Sequence, residues 1–316
     1  MQDNIKIGIS TCLLGENVRY DGGHKLDRYL RDIVGQFVQW VPVCPEVECG
    51  LSIPREAMRL IGDVNAPRLV TIKSGIDYTE RMQNWIKVKL DQLEKENLCG
   101  FVFKSKSPSS GMQRIKVYNK SGTPIKKGIG LFARAFMERF KLMPVEDEGR
   151  LNDPNLRENF IERIFVYKRW QDLIEKGKTP GNLVSFHSAH KLLIMAHSPK
   201  DSRKLGKIVA NDKDKTSELA FEEYFEILMT ALQLKASVKK NTNVLHHIMG
   251  YFKKSISADE KQELLEIIEH YHQGLLPLIV PITLLKHYIR KYQKPYLQSQ
   301  HYLNPHPLEL MLRNHV

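Results

Sequence analysis

The sequence of 316 residues has only four cysteines, and they lack the regular spacing of a disulfide-bonded framework. It also lacks an apolar run that reaches the length of a membrane span, which is about 20 residues. The longest candidate, residues 274–282, is short and interrupted by two prolines. The first residues enter a strand-like alternation without a basic and apolar leader segment. These absences argue against a disulfide-stabilised secreted scaffold and a helical membrane protein, so we expect a cytoplasmic protein.

Positive charges outnumber negative ones, and the excess is not concentrated in any segment. Lys and Arg number 48 against 36 Asp and Glu, which gives a net charge of +12. This excess is divided evenly between residues 1–150 and 151–316. A positive surface favours anionic partners, of which nucleic acid is one. A solvated face that aids solubility is the alternative, and charge alone does not decide between them.

The spacing of apolar residues along the chain changes near residue 150. Before it, short strand patterns alternate with amphipathic helical patterns, which is typical of a parallel sheet with crossover helices. After it, nearly every segment has helical periodicity. We therefore predict an α/β N-terminal domain with a mostly parallel, Rossmann-like sheet at residues 1–148, and an all-α domain at residues 149–316. The predicted strands are residues 6–10, 40–44, 69–73 and 100–104. The predicted helices are residues 26–38, 79–98, 128–140, 154–177, 181–198, 217–238, 241–254, 258–273 and 279–292.

Three of the four cysteines lie in loops that follow predicted strands. Cys12 follows the first strand, and Cys44 and Cys49 lie in a loop after the second. In open α/β sheets the loops at the carboxyl ends of the strands form the ligand crevice. Thiolates that meet there suit a soft metal or an iron–sulfur cluster. The alternative is that they are small buried hydrophobic side chains, and their spacing alone leaves both interpretations open.

Four segments of the first domain occur together and in order. They are residues 10–22 around Cys12, residues 44–51 with Cys44-Pro45-Glu46, Pro54-Arg55, and residues 103–111 with Ser107-Pro108-Ser109-Ser110. With these segments the chain resembles the thiouracil desulfurases over about residues 5–145. Residues 155–290 resemble the YbgA-like helical domain. The segments that carry this second resemblance are residues 186–191, residues 195–197 and Leu205-Gly206.

The first resemblance implies an enzyme that uses a [4Fe–4S] cluster with one open iron. In the family, three cysteines hold the cluster, and the open iron takes the sulfur of a thiolated pyrimidine, so that C=S becomes C=O and hydrosulfide is released. By position, Cys12 and Cys44 match two ligands, Glu46 matches a proposed acid/base carboxylate, and Ser107 matches a serine near the substrate. The expected substrate is a 2-thiouracil-like base, a nucleoside or a thiolated tRNA nucleotide, with RNA contact through the basic surface as a further expectation.

One position departs from the family pattern. The family's third ligand is the cysteine of a Ser-Pro-Ser-Cys-Gly motif, and this chain has Ser110 there. Serine is a poor ligand for such clusters, so either the cluster is lost or another thiolate replaces the missing one. We predict replacement by Cys49, which gives Cys12, Cys44 and Cys49 as ligands, and a structural role for Cys99. Loss of the cluster implies the alternative function, a non-catalytic protein that binds a nucleobase or RNA.

The other polar residues of these segments have ordinary interpretations beside the functional ones. Without the resemblance, Glu46 is expected to accept backbone N–H bonds in its loop or to cap the next helix. Arg19, Arg55 and Lys104 either balance the charge of a cluster, bind a substrate anion, or form ordinary surface ion pairs.

Histidines are concentrated in the second domain, which has eleven of the twelve. His187, His190 and His197 lie on one face of a predicted helix. They form either a metal site or a set of histidines with protein hydrogen-bond partners. No cysteine or carboxylate lies at matching spacing in that helix, so we predict the second.

Overall fold

The computed structural model describes residues 5–119, 121–210 and 218–314. The chain divides into two compact units, Met1–Asp153 and Pro154–Val316. The first unit is α/β with a parallel sheet and the second is helical, which confirms the predicted fold class. The predicted domain boundary at residue 148 stays a prediction.

Within the described residues, the first unit contains eight strands and three α-helices. The strands are β1 (Lys6–Ser10), β2 (Gln39–Val43), β3 (Met58–Gly62), β4 (Pro67–Thr71), β5 (Gly100–Phe103), β6 (Ile115–Tyr118), β7 (Pro124–Gly128) and β8 (Val145–Asp147). The helices are α1 (Pro45–Glu48), α2 (Thr79–Glu94) and α3 (Leu131–Arg139).

One sheet is parallel throughout and has the strand order β2-β1-β5-β8. All four residues of β5 are buried, as expected for a central strand of a parallel sheet. An ideal Cβ on Gly8 would lie 2.1 Å from a ring atom of Phe101, so glycine is required where β1 passes this side chain. The carboxyl ends of β1, β2 and β5 share one edge, and the loops after them therefore lie side by side.

The second sheet has the order β4-β3-β6-β7 and is mixed. Here β3 pairs antiparallel with β4 and parallel with β6, and β6 pairs antiparallel with β7. The prediction that residues 69–73 form a strand of the parallel sheet is therefore wrong, because β4 closes a hairpin with β3. That hairpin turns after Gly62, whose φ of 92° favours glycine.

One predicted helix of the first unit is also wrong. Residues 26–38 form a short π-helical turn, Tyr29–Ile33, and a 3₁₀ turn, Val34–Gln36, instead of a regular helix. An ideal Cβ on Gly35 would lie 3.0 Å from the indole nitrogen of Trp40, so a larger residue here would crowd that side chain.

In the described part of the second unit there are eight α-helices, and each of the six helices predicted there has an observed counterpart. They are α4 (Pro154–Lys176), α5 (Pro180–His197), α6 (Pro199–Ala210), α7 (Glu218–Gln233), α8 (Val238–Gly250), α9 (Ala258–His272), α10 (Ile279–Lys291) and α11 (Pro295–Gln298). None of the described helices is long and apolar enough to span a membrane.

No helix is predicted at α6, because an isolated glycine such as Gly206 is also typical of a connection between helices. Gly206 lies inside α6, and an ideal Cβ there would lie 3.7 Å from Nε2 of His187 on α5. A Cβ at this position would therefore make only an ordinary van der Waals contact with His187, and Gly206 is accommodated inside a regular helix. The polar run at residues 211–216 also predicts a connection, and it lies outside the described residues.

Candidate functional site

A cavity of about 380 Å³ lies at the carboxyl edge of the parallel sheet. Its wall includes four of the five predicted site residues, which come from the loops after β1, β2 and β5: Cys12, Cys44, Glu46 and Ser107. Ser110 is also part of the wall. The fold thus brings together residues that are far apart in the sequence, such as Cys12 and Ser110, which are 98 positions apart. The fifth predicted residue, Cys49, is not among those that line the cavity.

Short turns place the two thiols. Cys12 lies in a 3₁₀ turn, Thr11–Leu14, directly after β1. This turn is followed by Gly15, whose φ is 99°. Cys44 directly precedes α1, and Pro45 occupies the first helical position, where its missing N–H costs nothing. The Cys44 N–H donates to a carboxylate oxygen of Glu48 at 2.8 Å, which fixes the start of this turn.

Glu46 makes its contacts through side chains. Its Oε1 accepts a hydrogen bond from Ser109 Oγ at 2.6 Å, and its Oε2 lies 3.7 Å from Cys44 Sγ. The guanidinium of Arg55 lies 4.0 Å from the same Oε2. These contacts hold the carboxylate at the cavity wall, and they are not the backbone contacts that the ordinary interpretation of Glu46 predicts.

Three serines form a chain of hydrogen bonds that ends on Glu46. Ser107 Oγ lies 2.9 Å from Ser109 Oγ. It also accepts hydrogen bonds from the backbone N–H groups of Ser109 and Ser110, at 3.3 and 3.1 Å. Because Ser109 donates its only hydroxyl hydrogen to Glu46, the Ser107 hydroxyl is the donor to Ser109. Sequence reasoning missed Ser109. The run of serines was visible, but only the folded turn determines which hydroxyl faces Glu46.

Cys49 and Cys99 point to other surroundings. The Cys49 thiol donates to the backbone carbonyl of Glu46 at 3.3 Å. Cys99 directly precedes β5 and is fully buried. The structure thus brings two of the three predicted ligands to the cavity, and the ligand role of Cys49 stays a prediction.

Burial keeps the cavity thiols protonated. It raises the pKa of Cys12 to about 11 and that of Cys44 to about 12, and the negative charge of Glu46 adds to both effects. A buried thiol with a raised pKa is a weak nucleophile. Such thiols lose their protons when a metal binds them, so this pair suits ligation better than nucleophilic attack.

Five basic side chains also line the cavity, and some of them already have acidic partners. Lys104 forms an ion pair with Glu148, Arg19 lies 3.4 Å from a carboxylate oxygen of Asp21, and Arg55 donates to the carbonyl oxygen of Val18 at 3.1 Å. Among the lining residues the basic ones outnumber the single acidic one, Glu46, and this excess favours an anionic ligand. The basic residues are Arg19, Lys25, Arg55, Lys104 and Lys106.

The three histidines of α5 each have a protein partner. Nδ1 of His187 lies 3.0 Å from the Tyr224 hydroxyl, and Nδ1 of His190 lies 2.8 Å from the carbonyl of Phe186. His197 contacts the carbonyl of Leu234 at 2.6 Å through Nδ1 and the carboxylate of Glu162 at 3.1 Å through Nε2. These contacts favour the interpretation of the histidines as hydrogen-bonded side chains over a metal site.

Another group of metal-ligating side chains lies in the same unit. Among the described residues, ligand atoms of Glu158, Glu162 and His306 lie within 4.8 Å of one another. One oxygen of Glu162 already accepts from Arg313 at 2.7 Å and the other from His197. Both oxygens of this carboxylate therefore have protein partners, one of them the Arg313 guanidinium, and we interpret the group as a buried polar network.

Comparisons with known proteins agree with both resemblances. Residues 7–148 match the family described as 2-thiouracil desulfurase, and residues 191–307 match a protein family of unknown function, DUF1722. The uncharacterized protein YbgA of Escherichia coli strain K12 is 33% identical over 165 residues, which cover 52% of this chain and 98% of YbgA. The uncharacterized protein YbbK of Bacillus subtilis strain 168 is 31% identical over 150 residues, which cover 46% of this chain and 97% of YbbK. A solved structure, the [4Fe–4S]-dependent thiouracil desulfidase TudS, is 29% identical with a TM-score of 0.39, and the match covers 48% of this chain and 95% of that one.

Proposed function

Because the chain belongs to the 2-thiouracil desulfurase family through residues 7–148, with a DUF1722 region at residues 191–307, we propose that its first unit removes sulfur from a thiolated pyrimidine. The reaction converts C=S to C=O with water and releases hydrosulfide. The observation that carries this proposal is the cavity in which two thiols, Cys12 and Cys44, lie beside the carboxylate of Glu46.

The proposed cofactor is a [4Fe–4S] cluster, with Cys12 and Cys44 as two of its ligands. The cavity wall, as described, presents two thiols, one fewer than the three that the family resemblance implies. A three-thiolate cluster therefore does not fit this wall as it stands. The sequence-based choice of Cys49 as third ligand stays a prediction, and the steps below depend only on the chain's own residues.

Glu46 is the proposed general base. Attack of water on the thiocarbonyl carbon requires a group that removes a proton, and a carboxylate at the cavity wall serves this role. The Ser109 hydroxyl donates to one oxygen of Glu46, and the Arg55 guanidinium lies 4.0 Å from the other. Ser107 orients Ser109, so in this geometry it acts as a positioning residue for Glu46, while its direct contact with substrate stays a prediction.

The basic surface supports a substrate that carries phosphate, and we propose a thiolated nucleotide within RNA. The four strands of the mixed sheet contain five basic residues and no acidic one. Lys116 and Lys126 lie directly opposite each other, an arrangement of like charges that is unfavourable without a counterion. A polyphosphate backbone would neutralise it. The five basic residues are Arg59, Arg68, Lys116, Lys126 and Lys127.

The test is hydrosulfide release by the anaerobically reconstituted full-length protein. We expect turnover of 2-thiouracil, a thiolated nucleoside monophosphate and thiolated tRNA, with tRNA favoured at low salt. Lys126→Glu should weaken only the tRNA reaction, and Cys12→Ala should abolish all three. An iron-loaded protein that releases no hydrosulfide from any thiopyrimidine would contradict the proposal. A colourless protein that binds RNA without turnover would support the non-catalytic alternative.

A further inference from the structure

Arg55 is the most deeply buried of the five basic side chains that line the cavity, and only part of its guanidinium is hydrogen-bonded. Its side chain is 9% exposed. Nη1 donates to the backbone carbonyls of Val18 and Ser52, at 3.1 and 3.4 Å. Among the described residues, the buried Nε has no hydrogen-bond partner, and Nη2 makes no hydrogen bond. A buried N–H without an acceptor costs free energy, so this guanidinium has donors available for a ligand.

The distance between Arg55 and Glu46 is that of a pair bridged by one water molecule. Nη2 of Arg55 lies 4.0 Å from Oε2 of Glu46, which is too long for a direct hydrogen bond. The other carboxylate oxygen, Oε1, already accepts from Ser109 at 2.6 Å, so Oε2 is the oxygen that is left for a ligand. An oxygen atom about 2.8 Å from both Nη2 and Oε2 would subtend an angle of about 90°, which suits a bridging water. Such a water accepts from Nη2 and donates to Oε2.

Backbone carbonyls of the first unit hold Arg55 in this position at both ends of the residue. Its own N–H donates to the carbonyl of Tyr20 at 2.9 Å, and Nη1 donates to the carbonyl of Val18 in the same loop after β1. The contact of Nη1 with the Ser52 carbonyl adds a third anchor. A donor that is fixed before the reaction stabilises developing charge without a cost of reorganisation. The geometry of Arg55 is therefore that of a preorganised donor and not of a mobile surface cation.

On the basis of the proposed function, we propose that Arg55 is a catalytic residue, which binds the attacking water through Nη2 and presents it to Oε2 of Glu46. The water oxygen bonds to the thiocarbonyl carbon, and one water proton goes to Glu46. The second proton goes to the sulfur as the carbon–sulfur bond breaks, so that C=S becomes C=O and hydrosulfide leaves. Glu46 then returns its proton to solvent. Nη2 donates to the same oxygen throughout and stabilises the negative charge that develops on it.

The kinetic experiment uses anaerobically reconstituted full-length protein and 2-thiouracil, with rates normalised to iron. Arg55→Ala and Arg55→Lys should lower kcat by about 10²- to 10³-fold, the usual effect of removing one such donor. KM should change little, because Nη2 contacts the water and not the bound substrate. Millimolar guanidinium chloride should restore part of the activity of Arg55→Ala but none of that of Arg55→Lys, in which the lysine side chain occupies the space.

Arg81→Ala is the matched control. Arg81 also donates to two backbone carbonyls of the same segment, those of Cys49 and Gly50 at 2.7 and 2.8 Å, but it does not line the cavity. Its replacement should leave kcat close to the wild-type value and should produce no response to guanidinium. Far-ultraviolet circular dichroism establishes that each variant is folded.

A crystal structure of the full-length protein gives a readout that does not depend on turnover. We expect an ordered water within hydrogen-bond distance of both Nη2 of Arg55 and Oε2 of Glu46, and we expect Arg55→Lys to lose it. A direct contact between these two atoms, with no water between them, would overturn the proposal. So would a wild-type protein that releases hydrosulfide while Arg55→Ala and Arg55→Lys keep the kcat of Arg81→Ala.

Failure of the proposed function has a different signature. A wild-type protein that releases no hydrosulfide contradicts that function, and the catalytic role of Arg55 fails with it, whereas the crystal structure still decides whether Arg55 and Glu46 bind a water. If Arg55→Ala does not fold, Arg55→Lys, which keeps the positive charge, and the crystallographic water decide the outcome.

Discussion

Glu46 is the single carboxylate of the cavity wall, and its replacement tests the proposed chemistry most directly. In Glu46→Gln the side-chain oxygen still accepts from Ser109, but the group no longer takes a proton from water. Because general base catalysis is typically worth about 10²- to 10⁴-fold, we expect hydrosulfide release to fall by at least about 100-fold. Iron content should not change. Initial rates with 2-thiouracil, normalised to iron, measure the effect.

Glu48→Gln is the matched control from the same helical turn. Glu48 accepts from the Cys44 N–H at 2.8 Å and pairs with Lys89 at 2.8 Å, but it does not line the cavity. Its replacement should reduce the rate far less than Glu46→Gln does. Equal losses in the two variants would mean that Glu46 acts through the structure of α1 and not as a base.

The cavity thiols should be unreactive in metal-free protein. Burial, with the charge of Glu46, raises the pKa of Cys12 to about 11 and of Cys44 to about 12, so at pH 8 few of these groups are thiolates. An ordinary cysteine has a pKa of about 8.5, and alkylation at pH 8 should therefore be about 100-fold slower here. Alkylation with iodoacetamide, followed by peptide mass spectrometry, measures each site. Rapid labelling of either cysteine at pH 8 would contradict the prediction, and Glu46→Gln should accelerate labelling of Cys44.

At the scale of secondary structure, the sequence predicts elements whose periodicity is strong. Helix α2 and the long helices of the second unit follow apolar spacing, and strands β1, β2 and β5 of the parallel sheet are short, mostly apolar runs. Strand β8 of the same sheet was missed because two of its three residues are acidic. Strand β7 was missed because it is an edge strand with a basic, exposed sequence. Helix α6 was missed because an isolated glycine such as Gly206 is also typical of a connection between helices. Similarly, the predicted residues Cys12, Cys44 and Glu46 line the cavity, whereas the Cys49 thiol contacts the Glu46 carbonyl within one helical turn, which the sequence does not show.

Helix α4 is joined to the C-terminal segment by a buried ion pair whose strength depends on pH. Arg313 contacts Glu158 at 2.9 Å and Glu162 at 2.7 Å. Burial, with the adjacent charge of Glu162, raises the pKa of Glu158 from 4.5 to about 7. The folded state therefore binds this proton more tightly than the unfolded state does. The stability that protonated Glu158 contributes is therefore complete below pH 4.5 and is lost as the pH rises through about 7.

Four histidines of the same unit, His187, His190, His301 and His306, have pKa values lowered by burial, so their contribution to stability rises over this pH range and opposes that of Glu158. We therefore expect the free energy of unfolding of the wild-type protein minus that of Glu158→Gln to decrease between pH 4.5 and pH 7. Each pKa unit corresponds to about 1.4 kcal/mol, so the decrease is at most a few kcal/mol. Urea unfolding monitored by Trp170 measures it, in a background where the other two tryptophans, Trp40 and Trp85, are phenylalanine. The same slope in Glu158→Gln would assign the dependence to another group.

At the scale of the whole molecule, the end of the first unit decides whether it is stable alone. The predicted boundary at residue 148 excludes the 3₁₀ turn Arg150–Asn152, whereas the division at Asp153 includes it. Within this turn Arg150 donates to both carboxylate oxygens of Glu146, at 2.6 and 3.0 Å, and Leu151 is buried. Since Glu146 is 6% exposed, loss of Arg150 leaves a buried carboxylate without its cation.

We expect a fragment of residues 1–153 to be more stable than one of residues 1–148 by about 1–3 kcal/mol, the usual cost of an unsatisfied buried polar group. Urea unfolding of both fragments, followed by far-ultraviolet circular dichroism, gives the difference. Arg150→Met within the longer fragment is the control, because it removes the guanidinium and keeps Leu151. If this variant matches the shorter fragment, the ion pair accounts for the loss, and the domain extends to residue 153. If the two fragments are equally stable, the boundary at residue 148 holds, and the pair between Arg150 and Glu146 contributes little to the fold.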